Sequence, residues 1–183
     1  MGRLILILGG ARSGKSAYAQ QMAKRLSQGE RGVIHIATAV AGDEEMGERI
    51  ARHRAARPSS WKTLEVPQKA ARVIEEIGEE GQVIILDCLT LLISNLVLDK
   101  GDGETTVREE DILGEVESLV QAAKGVKSQV VVVSNEVGLG VVPATKLGCF
   151  FRDIAGRANQ LVAREADEVY VMWAGIAMRV KGS

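Results

Sequence analysis

Leu4-Ile5-Leu6-Ile7-Leu8 runs straight into Gly9-Gly10-Ala11-Arg12-Ser13-Gly14-Lys15-Ser16, and the junction has the spacing G-x-x-x-x-G-K-S. An apolar run closed by glycine reads as a buried strand, and the residues after Ser16 have helical spacing. The letters describe a loop that cradles phosphate. Gly9, Gly10 and Gly14 carry no Cβ, so the backbone can turn tightly and approach a polyphosphate. The N–H groups of Ala11, Arg12 and Ser13, with the open end of the following helix, supply partial positive charge. Lys15 adds a full cation for the outer phosphates, and the Ser16 hydroxyl is a ligand for Mg²⁺. A glycine turn that merely precedes a lysine would share these letters, but it would lack the strand before and the helix after. The chain is expected to bind a nucleoside triphosphate.

Outward from the loop, periodicity lays out alternating elements. Tyr18, Met22 and Leu26 recur every fourth residue, so 16–26 reads as a helix burying one stripe. Residues 32–39 (GVIHIATA) read as a second strand, 44–57 as a helix stopped before Pro58, and 61–66 as a short third strand. Ala71, Ile74 and Ile77 mark a helix closed by Gly78 and Gly81. Residues 82–87 (QVIILD) form a buried strand ending in a carboxylate, and 89–97 read as helical. Residues 99–108 (DKGDGETTVR) read as an exposed loop inside one domain rather than a boundary. A helix over 109–124, a strand over 129–134 and a longer helix over 147–166 follow. The segments 169–173 and 176–181 flank Ala174-Gly175 as a closing hairpin.

This order predicts an α/β chain with a mostly parallel sheet, helices on both faces and a C-terminal antiparallel hairpin, as a single domain over 1–183. Ligands on such sheets sit at the carboxyl ends of the strands. That rule gathers the Gly9 loop, Ala37-Thr38-Ala39, Asp87 and Ser134-Asn135-Glu136 on one rim.

Composition narrows the function classes. The 183 residues suit one domain with a sizeable core, and 46% hydrophobic with 26% charged residues is ordinary for a globular protein. A net charge of −1 and only 3% aromatics argue against a nucleic-acid partner or a charged membrane surface. Cys88 and Cys149 stand far apart without metal-ligand spacing and read as reduced thiols. The first strand begins too early to leave room for a signal peptide, and the apolar stretch 83–98 is broken by Asp87, Ser94 and Asn95, so no membrane insertion is expected. The default location is cytoplasmic.

Several side chains could carry chemistry. Asp87, at the end of an apolar strand, is placed to complete the Mg²⁺ shell opposite Ser16. In the segment 44–57 (EEMGERIARHRAAR), Met46, Ile50, His53 and Arg57 recur at steps of four, three and four, so they are expected on one helical face. Arg49, Arg52, Arg54 and Arg57 surround His53. Guanidinium forks match phosphate oxygens, and neighbouring cations favour the neutral, nucleophilic imidazole. Such a histidine could attack phosphorus and carry a nucleotidyl group. A solvated basic face with a half-buried histidine explains the same letters. His35 alternates with Ile34 and Ile36 and is expected to be a hydrogen-bonded histidine of the sheet. Glu65 reads as a base or ribose acceptor or as an exposed strand end, and Ser134-Asn135-Glu136 as a γ-phosphate-facing turn or a plain one.

Taken together, GGARSGKS, IATA with DEEM..RI..HR..RP..W.TLE.P, LDCLTLLISNL, SNEVGLGVVP, FRDIAGRANQ and ADEVY resemble the bifunctional adenosylcobinamide kinase / adenosylcobinamide-phosphate guanylyltransferase family of cobalamin biosynthesis. The blocks run in order over nearly the whole chain. The resemblance implies two reactions. ATP or GTP phosphorylates the aminopropanol hydroxyl of adenosylcobinamide. GTP then guanylylates an enzyme histidine, and the GMP passes to adenosylcobinamide phosphate to give adenosyl-GDP-cobinamide. His53 matches the guanylylated histidine. The loop, Ala37, Thr38, Ala39, Arg54, Ala55, Ala56, Arg57, Glu65 and Asp87 match positions used for GTP. A RecA-like P-loop NTPase fold and a homotrimer are implied by the same resemblance. Two positions depart from its pattern: Leu92 stands where tryptophan is common, and Cys149 where an arginine is expected before Phe150-Phe151-Arg152-Asp153.

Two other readings compete, a monofunctional P-loop kinase of a small molecule and a nucleotide-gated binding module. Neither needs a histidine among four arginines.

Overall fold

The structure, a computed structural model, describes residues 2–27, 32–41, 44–55, 57–79, 81–98 and 108–182, with the backbone alone at 45, 46, 49, 52 and 53. Seven strands and six helices alternate in the described residues: β1 (Arg3–Gly9), α1 (Lys15–Leu26), β2 (Val33–Ala37), α2 (Glu44–Ala55), β3 (Lys62–Glu65), α3 (Ala70–Ile77), β4 (Val83–Asp87), α4 (Leu89–Leu98), α5 (Glu109–Gly125), β5 (Gln129–Asn135), α6 (Lys146–Glu165), β6 (Glu168–Trp173) and β7 (Ile176–Lys181). The expected loop over 99–107 lies outside the described residues.

All seven strands form one sheet in the order β3-β2-β4-β5-β1-β6-β7. Every neighbouring pair is parallel except β6 with β7, the hairpin. Since β-α-β crossovers are right-handed, the steps β1 to β2 and β2 to β3 put α1 and α2 on one face, while the return steps put α3 to α6 on the other. Packing agrees. Leu4, Leu6, Ile84, Leu86, Val130 and Val132 pack with residues of α3 to α6. Ile5, Ile7, Val83, Ile85, Val131 and Val133 pack against Ala19, Met22 and Ala23 of α1. The strands β4 and β5 are therefore apolar on both sides, as central parallel strands must be.

Two boundaries near the strand ends differ from the sequence expectation. The second strand stops at Ala37, because the Thr38 N–H turns to the Asp87 carbonyl (3.2 Å) and its hydroxyl takes up the Cys88 backbone. The basic helix ends at Ala55, and Arg57 sits in a turn whose N–H donates to the Arg54 carbonyl. Arg57 is therefore not carried on the helical face of Ile50 and His53. Leu92, expected as a packing position, is fully buried in the core of the α3–α6 side.

Candidate active site

The strand ends line up as the topology requires. Ala37 pairs with both Glu65 and Asp87, Asp87 with Val133, and Gly9 with Asn135 and Met172. Glu65, Ala37, Asp87, Asn135 and Gly9 thus form a row along the carboxyl edge, with neighbouring strands about 4.8 Å apart. Asp87 and Asn135 project on the face occupied by α1, because they alternate with Leu86 and Ser134 on the opposite face.

At the Gly9 end of the row is the phosphate loop. Gly9 has φ +154°, and a Cβ there would meet the Met172 carbonyl at 2.6 Å and the Ser13 hydroxyl at 2.7 Å. Gly14, at φ +96°, begins α1 in a left-handed conformation that a side chain would strain. Arg12 holds φ +56° within the turn. Lys15 is buried (7% exposed), and its Nζ donates to the Gly10 carbonyl at 2.6 Å, so the cation lies folded along the loop. The Ser13 hydroxyl is buried without a hydrogen-bond partner. A buried hydroxyl left unpaired costs about 1–3 kcal/mol, and a phosphate oxygen in the cradle would relieve that cost.

Contacts from distant parts of the chain support this loop. The Gly175 N–H in the hairpin turn donates to the Ser13 carbonyl (3.1 Å), and the Glu136 N–H donates to the Gly9 carbonyl (3.0 Å). Beneath Asn135, the Thr90 and Ser134 hydroxyls lie 3.1 Å apart, Ser134 donates to Asn159 Oδ1 at 2.7 Å, and Asn159 Nδ2 reaches the Asn135 carbonyl at 3.1 Å. The network fixes the end of β5 between the loop and Asp87. Ser134 therefore faces the core, Asn135 Nδ2 is directed to Cys88 Sγ at 3.8 Å, and the Glu136 side chain accepts from the Gly138 N–H at 2.7 Å.

The far side of the row is tied by Thr38. Its hydroxyl donates to the Cys88 carbonyl at 2.7 Å and accepts from the Cys88 N–H at 2.9 Å, locking the ends of β2 and β4 together. Asn95 Nδ2 donates to the Thr38 carbonyl at 2.8 Å and the Pro67 carbonyl at 2.9 Å. Ala37 is buried, and Ala39 and exposed Val40 lead out toward α2. Arg54 and Glu65 form an exposed ion pair at 3.5 Å. Arg57 is half-buried, its Nη1 is 3.5 Å from the Thr63 hydroxyl, and its Nε is buried with no partner. Burial lowers the Arg57 pKa, and the Asp87 charge opposes that shift. His53 is carried by α2; its side chain, with those of Arg49 and Arg52, lies outside the described residues, as does Ala56. None of the α2 residues whose side chains are described is buried.

His35 departs from its expected role. It is 1% exposed, but its Nδ1 has no partner, and its Nε2 stands 3.7 Å from Asp87 Oδ2. That separation is in ion-pair range and beyond a formed hydrogen bond. Sequence alternation gave its face but not this diagonal approach to the carboxylate.

Both cysteines are free. Burial first, then the neighbouring Asp87 charge, push the Cys88 thiol up to about 11. Since the thiolate is the reactive form, alkylation of the folded protein at pH 8 is expected to modify Cys149 and spare Cys88 until denaturant is added. Peptide mapping by mass spectrometry checks this. Cys149 lies in the first turn of α6, with its Sγ 3.4 Å from the Pro143 carbonyl.

The donor set suits Mg²⁺. Among the described residues no group of three or more His, Cys, Asp or Glu could cage a metal. Ser16 and Asp87 offer hard oxygens, with phosphates and water left to fill the rest, which is how Mg²⁺ is commonly held.

Comparison with known proteins names the lineage. A solved ATPase domain shares the fold with TM-score 0.58 at 13% identity, over 98% of this chain and 77% of its own. The flagellar accessory protein FlaH from Methanocaldococcus jannaschii does so with TM-score 0.54 at 16% identity, over 100% of this chain and 79% of its own. Among curated relatives, the bifunctional adenosylcobalamin biosynthesis protein CobP of Pseudomonas aeruginosa is 42% identical over 177 residues, 97% of this chain and 96% of the relative. The bifunctional adenosylcobalamin biosynthesis protein CobU of Escherichia coli K12 is 39% identical over 184 residues, 97% of this chain and 99% of the relative. The family model described as cobinamide kinase / cobinamide phosphate guanyltransferase matches residues 5–180. With a P-loop at the carboxyl edge of its sheet and matches along nearly its whole length, the chain belongs to the cobinamide kinase / cobinamide phosphate guanyltransferase family.

Proposed function

We propose that one nucleotide cradle, the 9–16 loop with Asp87, serves both activities of this family, and that His53 carries the nucleotidyl group between them. The chain is a bifunctional transferase of cobalamin biosynthesis, a cobinamide kinase and a cobinamide phosphate guanylyltransferase. In the kinase step the substrate hydroxyl attacks the γ-phosphorus of ATP or GTP. The β–γ bridging P–O bond breaks, the nucleoside diphosphate leaves and the hydroxyl proton goes to solvent. In the second step a His53 ring nitrogen attacks the α-phosphorus of GTP. Pyrophosphate leaves, the ring loses its proton and a P–N bond holds the GMP. An oxygen of the cobinamide phosphate then displaces the ring, giving adenosyl-GDP-cobinamide and restoring the imidazole.

The observation that carries this reading is the row of groups on one edge. Lys15 and the loop amides lie at its Gly9 end, and Asp87, Arg57 and Glu65 extend toward the strand that feeds α2. Arg54, Arg57 and the backbone at 37–39 and 55–56 are assigned to the nucleotide, as the family pattern implies. Catalysis of this kind is mainly positioning and neutralisation of charge on phosphorus oxygens, and Lys15 with the loop N–H groups is built for that. Ser16 and Asp87 would hold Mg²⁺, which supplies further neutralisation of the phosphates. The exposed side chains of Leu139, Val141 and Val142 follow Glu136, itself bonded to Gly9, and offer aliphatic surface for the corrin.

A homotrimer is supported by the hairpin. Trp173, Ile176, Met178 and Val180 are exposed along β6 and the edge strand β7, an apolar edge that a lone subunit leaves uncovered. The cytoplasm is the assigned location, where both nucleotides are supplied; no helix among the described residues is long and apolar enough to cross a membrane.

The test is incubation with GTP labelled at the α-phosphorus, with Mg²⁺ and no corrinoid. The expected product is protein carrying stoichiometric label that is lost in mild acid, survives base, and moves to the corrinoid when cobinamide phosphate is added. Protein that turns over cobinamide without ever becoming labelled would leave the monofunctional kinase reading in its place.

A further inference from the structure

The strand β2 reads Val33-Ile34-His35-Ile36-Ala37 and is buried throughout. A histidine in its middle is a poor choice for packing alone. Its Nδ1 is buried and unpartnered, a desolvation cost that a valine or isoleucine would avoid. The placement of the other ring nitrogen gives the residue a purpose. His35 is paired with Ile85 across β4, and Asp87, two residues on, projects on the same face. The 3.7 Å separation of Nε2 from Asp87 Oδ2 is the diagonal contact of a parallel ladder. On the other side His35 is paired with Thr63, whose hydroxyl lies 3.5 Å from Arg57 Nη1, and the Arg57 charge acts on Asp87. The Asp87 carboxylate, 15% exposed, therefore has an imidazole below it and lies in the field of the Arg57 charge.

We propose that His35 is a positioning residue for Asp87. Its Nε2–H holds the inner carboxylate oxygen, so that the outer oxygen is presented toward the phosphates and Ser16. The bond shortens into hydrogen-bond range when the outer oxygen is engaged. Carboxylates that ligate metals are commonly oriented by such a bond, and losing it weakens metal affinity by about 10–100-fold. The proposal rests on the assignment of Asp87 to the metal, so its test carries a control for that assignment.

The experiment is titration of the protein–GDP complex with Mn²⁺, followed by the electron paramagnetic resonance signal of free Mn²⁺, with a thermal melt of each variant. His35→Leu is expected to weaken Mn²⁺ about tenfold while GDP affinity in the presence of a chelator stays within about twofold. His35→Gln, whose amide N–H falls near the position of Nε2, is expected to restore Mn²⁺ affinity. His35→Asn, which is too short to reach Asp87, is expected to behave as His35→Leu, and stands in for it should the leucine variant not fold. Unchanged Mn²⁺ affinity in both the leucine and asparagine variants, or equal weakening by glutamine, would overturn the proposal. Asp87→Asn separates the two claims. If it leaves Mn²⁺ affinity intact, the assignment of Asp87 itself fails, whatever the His35 variants do.

Discussion

Replacing His53 by alanine is expected to abolish the covalent label left by α-labelled GTP, a loss of more than about 10⁴-fold in guanylyl transfer, while phosphorylation of cobinamide falls by less than about tenfold. The asymmetry follows from the chemistry. A residue that forms the covalent bond has no substitute, and its removal costs orders of magnitude. The kinase step needs no enzyme nucleophile, because the substrate hydroxyl attacks directly. The chain has only two histidines, which makes the assignment sharp. His35 is 1% exposed in the middle of β2 and cannot present a ring nitrogen to a nucleotide. An acid-labile, base-stable label therefore belongs to His53. The fold should tolerate the change, since α2 buries none of the residues whose side chains are described. Label persisting in His53→Ala would remove the histidine from the mechanism, and loss of kinase activity in equal measure would make it a general nucleotide-binding residue.

The phosphate loop was legible because its requirements are local. Gly9 and Gly14 occupy backbone conformations that exclude a side chain, and the sequence states that need directly. The central strands were equally plain, since Val83–Leu86 and Val130–Val133 can only be buried on both faces. What escaped the sequence depends on pairs distant along the chain. Nothing local says that β5 inserts between β1 and β4, so the position of Asn135 and Glu136 between the loop and Asp87 emerges only from the topology. The clasp from Gly175 to Ser13 joins residues at opposite ends of the chain. Thr38 matched a nucleotide position by resemblance, whereas its hydroxyl is occupied on both sides by the Cys88 backbone. Any part it plays in binding runs through its backbone and the strand ends it ties together. The helical period put Arg57 on the face of His53 because periodicity cannot see where a helix stops; the turn before Pro58 moved it beside Thr63, where the Asp87 charge acts on it.

Lys15→Ala is expected to lower both activities by about 10²–10³-fold in kcat/KM, unlike His53→Ala, which separates them. The loss corresponds to about 3–4 kcal/mol of transition-state stabilisation, the scale of removing one preorganised charge donor from a shielded site. Unfolding would not account for it. Lys15 Nζ is bonded to the carbonyl of Gly10, an exposed residue, and water can take over that acceptor once the amine is gone. The apolar packing of α1 rests on Ala19, Met22 and Ala23, which the substitution leaves in place. A melting temperature within a few degrees of the parent, measured alongside activity, checks that point. Lys15→Arg is not expected to restore activity, because a planar guanidinium cannot follow the path of a buried point charge along the loop. The comparison of the two reactions is the decisive part. If a single cradle holds the triphosphate for both, phosphorylation and histidine labelling fall together. If phosphorylation collapses while His53 is still labelled at the parent rate, the guanylylated GTP is bound elsewhere, and the edge formed by Gly9, Asp87 and Ala37 serves the kinase alone.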